Sequence, residues 1–177
     1  MQTTDNGTYL EIEGRPAVRF ERIYAHPRDR VWQAVTDPRE MRHGFPSPEV
    51  SLEAREGGSI TLGGDPYAPE ARTSKVLVWD PPHRFGFEWE EDQLFFTLTE
   101  VEEGCRLELL NLLSSAGAAA RNAAGWEMCL EQLALTISGT PGGGAQEGGM
   151  DAFMPVLESY KAEGLPDDGW LPDTPAT

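Results

Sequence analysis

The sequence predicts an α+β domain in which a curved antiparallel β-sheet of about seven strands wraps around one long C-terminal helix. Three observations lead there. From Glu49 the apolar residues follow a period of two, with Val50, Leu52 and Ala54 alternating against polar neighbours, and the pattern returns in later segments up to Leu113. Ala119, Ala123, Trp126, Leu130, Leu133 and Ile137 then repeat at intervals of four and three, the stripe of an amphipathic helix. Gly139 and Pro141 end that helix, which is predicted from Ala116 to Ser138.

The elements follow in order. Tyr9 to Glu13 and Ala17 to Ala25 are β-prone runs, and Gly14-Arg15-Pro16 between them marks a turn. Pro27 suits the first turn of a short helix carrying Val31, Trp32 and Val35, which Asp37-Pro38 stops. A second short helix is expected from Arg39 to His43, ended by Gly44-Phe45-Pro46. Gly57-Gly58 turns the next strand into Ser59 to Gly63, and residues 63–70 hold two Gly and two Pro, the composition of a loop. Thr73 to Asp80 is a strand that Pro81-Pro82 terminates.

Phe85, Phe87 and Trp89 alternate with Gly86, Glu88 and Glu90, so this strand has one face toward a core and one toward water. Leu94 to Val101 and Cys105 to Leu113 form a last hairpin around Glu102-Glu103-Gly104. Leu94, Phe96 and Leu98 share one face, continued by Leu107, Leu109 and, by the same period, Asn111. Ser114 or Ser115 is placed to cap the long helix.

Residues 1–139 are therefore expected to form one domain, residues 140–150 a Gly-rich linker, and residues 151–177 a short helix and loose tail. Asp151 would cap that helix, with Phe153, Leu157 and Tyr160 on one face. Trp170 is expected to anchor the tail in an apolar groove.

Composition narrows the function. The net charge is −16, with 23 acidic and 13 basic residues in 1–138 and 7 against 1 beyond, which repels phosphate backbones and anionic lipid surfaces. Nucleic acid and membranes are not expected as partners. No run reaches the roughly 20 apolar residues a membrane span needs, and the polar N-terminus does not read as a signal peptide, so a cytoplasmic location is expected. Cys105 and Cys129 lack metal-ligand or redox spacing and read as buried free thiols. His26, His43 and His83 form no paired motif, and the motifs of nucleophilic, zinc or nucleotide chemistry are missing, so no cofactor and no metal is expected.

Particular stretches carry a resemblance to a known family. They are Phe20-Glu21-Arg22; Pro27 followed by Val31-Trp32-Gln33-Ala34-Val35-Thr36-Asp37-Pro38; Val76-Leu77-Val78-Trp79-Asp80-Pro81-Pro82; and Gly125-Trp126 with Leu130 and Leu133. In this order they resemble proteins similar to the C-terminal domain of the activator of heat-shock protein 90 ATPase. That family belongs to the START-like, polyketide-cyclase (SRPBCC) superfamily with the helix-grip fold. The resemblance, over roughly Ala17 to Ser138, implies an internal cavity between sheet and long helix. It supplies no catalytic motif, and function does not follow from fold alone.

On the predicted concave face, large rings either fill the core, the commoner fate, or line a pocket for a flat apolar ligand. Residues 116–125 contain six Ala and two Gly, leaving little side-chain volume opposite the rings. An inward Asn111 needs hydrogen-bond partners that a ligand, water or the strand end would supply. The candidate cavity residues are Trp32, Trp79, Phe87, Trp89, Phe96, Asn111 and Trp126. The leading expectation is a non-catalytic binding protein for a small hydrophobic or aromatic molecule. One alternative is a co-chaperone-like adaptor whose partner is a chaperone or other protein, with the tail helix as a contact. The other is a cyclase- or hydrolase-type enzyme, for which Asn111, His43 or Tyr24 would have to serve.

Overall fold

The computed structural model describes residues 6–45, 49–64, 70–142 and 149–170. The chain opens with a hairpin of β1, Thr8–Ile12, and β2, Arg15–Tyr24. Its turn is Glu13-Gly14, both at positive φ, the geometry that suits the twist of a tight hairpin. The turn thus sits earlier than the expected Gly14-Arg15-Pro16, and Pro16 pairs with Glu11 inside the ladder.

Two short helices follow, α1 at Arg28–Thr36 and α2 at Pro38–Gly44. Pro27 is the residue before α1 rather than in its first turn, and its carbonyl accepts from the Arg30 and Val31 amides at 3.0 and 3.2 Å. Asp37 joins the two helices: its amide donates to the Gln33 carbonyl, closing α1, while its carboxylate accepts from the Arg39 amide at 2.9 Å and starts α2. Pro38 follows at the first helical position, where its missing N–H costs nothing.

Hydrogen bonds from the Arg39 guanidinium and amide hold the Asp37 carboxyl below its usual range. A depressed carboxyl stabilises the folded state above its unfolded pKa, and that contribution is lost as pH falls through the folded value. Asp37→Ala is accordingly expected to cost about 1 kcal/mol at neutral pH, with the difference from the parent shrinking in acid. Urea unfolding at the two pH values measures both.

The remaining strands are β3, Glu49–Leu52; β4, Ser59–Gly63; β5, Arg72–Asp80; β6, Arg84–Trp89; β7, Asp92–Val101; and β8, Gly104–Leu112. All eight lie in one sheet of order β1-β2-β8-β7-β6-β5-β4-β3, every neighbouring pair antiparallel. Its inner face carries Val18 and Phe20 from β2, Phe85 and Phe87 from β6, and Leu107 and Leu109 from β8, all buried. A bulge at Leu77 changes the parity of β5. Val76 therefore pairs with Phe87, and Trp79, three residues on, pairs with Phe85, so both meet the inward row.

A 3₁₀ turn, Ala116–Ala118, leads into α3, Ala119–Ile137, which the sheet grips. Ser115 precedes the turn without a side-chain cap, so the expected serine cap is replaced by backbone bonding from the Ala118 amide to the Ser115 carbonyl. The six stripe residues of α3 are all buried, and the helix ends as Gly139, at φ +85°, donates to the Thr136 carbonyl while Thr140 donates to Leu135. Cys105 and Cys129 are buried free thiols.

Most of the Gly-rich stretch, 143–148, lies outside the described residues, as do 46–48, 65–69 and 171–177. The last helix, α4, spans Gly149–Ala162, so Asp151 stands in its first turn instead of capping it. Leu157 and Tyr160 are buried, and Phe153 packs against the core. The Tyr160 hydroxyl accepts from the Gly7 amide at 2.8 Å and donates to Glu127 of α3 at 2.9 Å, tying the start of the chain to both helices. Burial pushes that hydroxyl pKa up.

Candidate functional site

The inward faces of β5, β6 and β7, together with Trp32 of α1 and Trp126 of α3, bring the predicted rings together. Phe87, Phe96 and Trp126 are buried, while Trp32, Trp79 and Trp89 are half-buried at the margin of the core. They form a continuous series of ring contacts. Trp32 meets Trp79 at 5.3 Å, Trp79 meets Phe85 at 5.5 Å, and Phe85 meets Phe87 and Phe96 at 5.2 and 6.4 Å. At the far end Trp126 meets Trp89 at 5.6 Å.

Phe45 completes the series. It follows α2 and touches Phe87, Phe96 and Trp126 with centroids 6.2, 5.7 and 6.1 Å away. In the sequence, Gly44-Phe45-Pro46 reads only as helix-ending punctuation. Its one warning sign is a large ring between two chain-breaking residues. The void bounded by Phe45, Phe96, Leu109, Trp126 and Leu130 is about 10 Å³, at most a water. A ligand between these rings would have to part them.

Asn111 points inward and is 1% exposed. Its Nδ2 donates to the Gln93 carbonyl at 3.2 Å, whereas its Oδ1 lacks a partner among the described residues. The Tyr24 hydroxyl is also buried and has no hydrogen-bond partner among the described residues, and burial raises its pKa. These two groups do not converge. Asn111 pairs with Val18 and Tyr24 with Cys105, six positions along the same ladder, which at the rise of a strand is roughly 20 Å. His43 contacts Arg42 at 3.3 Å on the outside of α2. The residues an enzyme reading would recruit are thus dispersed, and among the described residues no cluster of His, Cys, Asp and Glu has the arrangement of a metal site.

Open space lies at the front of α3. A pocket of about 650 Å³ is lined by Trp89 of β6, Glu91 of the β6–β7 turn, Asp92 at the start of β7, Arg121 of α3, and Asp168 and Trp170 of the tail. Ala118 and Asn122 also border it, within the small-residue stretch. Across the pocket Arg72 forms an ion pair with Glu90.

The tail wall is built by backbone bonds. The Ala120 amide donates to the Pro166 carbonyl at 3.0 Å, and the Asp168 amide donates to the Gly117 carbonyl at 2.9 Å. The Asp168 carboxylate accepts from the Trp170 amide at 2.9 Å and from Arg121 at 2.5 Å. Those two donors hold the Asp168 carboxyl below its usual range, the Trp170 amide contributing most. Gly117 is required here, since a Cβ on it would stand 2.8 Å from the Asp168 Cβ.

Trp170 corrects the expectation of an apolar groove: its ring lies 4.9 Å from the Arg121 guanidinium and stays 57% exposed. A cation over an indole face is favourable where an apolar groove would have buried the ring. Residues 167–170 are correspondingly held against α3, where a loose tail was expected.

Solved structures share this architecture. CalU16 from Micromonospora echinospora is 26% identical, with a TM-score of 0.70 over 91% of this chain and 94% of that one. A conserved protein of unknown function from Enterococcus faecalis, EF2215, reaches a TM-score of 0.72 at 16% identity, covering 89% of each chain. The BPP1335 product of Bordetella parapertussis matches over 98% of this chain and 95% of that one, at 19% identity and a TM-score of 0.66. No curated protein matches the chain. A family model described as activator of Hsp90 ATPase homolog 1-like protein matches residues 25–138, from the end of β2 to the end of α3. With the sheet gripping α3 and that match spanning most of the chain, the protein belongs to the activator of Hsp90 ATPase homolog 1-like family and has its helix-grip fold.

Proposed function

We propose that this is a non-catalytic binding protein for a small hydrophobic or aromatic molecule, taken up at the front of α3. The observation that carries the reading is the pocket of about 650 Å³, a size typical of small-molecule sites, whose wall Trp89 is also one end of the ring series. A ligand stacked on Trp89 would next meet Trp126 and, further in, Phe87 and Phe96. Trp79 and Trp32 continue the same apolar path, and the unpartnered Asn111 oxygen offers an acceptor inside it.

The adaptor reading has less support. Leu157 and Tyr160 of α4 are already buried, Phe153, Met154 and Val156 pack half-buried against the core, and the exposed positions are Asp151, Pro155, Glu158, Ser159, Lys161 and Ala162, mostly polar. Native mass spectrometry of the protein purified from its own host separates the two. One retained small molecule per chain is expected, lost in Trp89→Ala. A stoichiometric protein partner with no retained small molecule would replace this reading with the adaptor.

A further inference from the structure

The pocket at the front of α3 has a chemical bias, and the tail creates it. A bare helix N-terminus attracts anions through its free amides and dipole. Here the entrance to α3 is already served from within the chain. The Ala118 amide bonds to Ser115, the Ala120 amide bonds to Pro166, and the carboxylate of Asp168 stands against Gly117 and Arg121. The positive end of the helix therefore has its anion.

Both guanidinium groups in the pocket are likewise engaged, Arg121 by Asp168 and Arg72 by Glu90. Asp92 accepts from the Ser114 amide at 2.8 Å, and the Glu91 carboxylate has no side-chain partner among the described residues. The lining holds two more carboxylates than guanidinium groups, on a chain whose net charge is −16. Two indoles, Trp89 and Trp170, supply flat apolar surface in the same space, and Trp170 already has a planar cation over its face in Arg121.

Taking the binding-protein reading as its basis, we infer that this pocket accepts a flat aromatic ring carrying a protonated nitrogen. The ring lies against the indoles of Trp89 and Trp170, and the nitrogen faces Glu91 and Asp92. Cation–π attraction and carboxylate pairing then act together in a partly desolvated space, where each is stronger than in water. A ring bearing a carboxylate meets the opposite balance, because it must displace Asp168 from Arg121 to find a cation.

Two probes of nearly the same shape and opposite charge, naphthylmethylammonium and naphthoate, test this by calorimetric titration of the full chain. The ammonium probe is expected to bind at least about tenfold more tightly, with the preference weakening as salt is raised. Trp170→Ala should weaken the ammonium probe about fivefold, and since Trp170 is more than half exposed its loss leaves the fold intact. Glu91→Gln should narrow the gap between the probes. Equal binding, tighter binding of naphthoate, no binding of either probe, or an unchanged affinity in Trp170→Ala would each overturn the inference. A small molecule retained in native mass spectrometry alongside any of those results keeps the binding-protein reading. The absence of both removes the two together.

Discussion

Phe96→Ala is expected to lower the stability of the domain by about 3–5 kcal/mol, the range for removing a buried ring when the surroundings close only in part. Phe96 is 1% exposed, lies opposite Phe85 and Leu109 in the two neighbouring strands, and packs against the Phe45 ring at 5.7 Å. No side chain nearby has freedom to fill the space, because the adjoining void of about 10 Å³ shows how closely this region is already packed. For a chain of this size such a loss lowers the melting temperature by about 6–20 °C. Thermal and urea unfolding both measure it. The result also decides how the rings are used: a cost below about 1 kcal/mol would mean that Phe96 borders a void and faces a ligand. A full-sized cost places it in the core and leaves binding to the pocket beyond Trp89.

The second large effect is expected at the β7–β8 turn. Gly104 has φ +141°, and a Cβ there would stand 2.3 Å from the Tyr24 carbonyl oxygen and 2.8 Å from the His26 amide nitrogen. Both obstacles are backbone, so neither can swing aside as a side-chain end would. Gly104→Ala must push the end of β2 away from β8, where Tyr24 and Cys105 form the last rung. A cost of about 2–4 kcal/mol is expected from the strained φ and the clash together. Gly139→Ala is the control. It also has positive φ, +85°, but nothing lies within 4 Å of its Cβ, so it carries the conformational penalty alone, about 1 kcal/mol. Comparing the two by urea unfolding separates crowding from backbone preference, and equal losses would remove the steric account.

The parts of this fold that follow a period were readable from residues alone. Phe85 and Phe87, the Leu94, Phe96 and Leu98 face, and the α3 stripe are all buried as their spacing requires, and Trp89 packs half-buried against the same core. What the spacing could not show has one physical character: it depends on residues far apart in sequence or on a break in the period. The bulge at Leu77 places Val76 and Trp79 on a common face, against strict alternation. Phe45 enters the ring series from a loop position with no period at all. The Pro166–Trp170 wall depends on bonds to residues some fifty positions earlier, and nothing in the tail's own Pro- and Asp-rich composition announces them. For the same reason the candidate site was only partly legible. Trp89 was found from its strand face, but Arg121, Asp168 and Trp170 meet only once the tail has crossed α3.

Gly7 and Tyr160 lie 153 positions apart yet share one hydrogen bond, and Asn6 reaches Glu163 beside them. Mechanically, this makes a clasp. Tension applied to the two sides of that joint would load a few bonds one after another at the outer helix, so α4 would peel away while the eight-stranded ladder stayed whole. Because the Pro166–Trp170 wall follows α4 in the chain, the same peeling would open the pocket from the side of the tail.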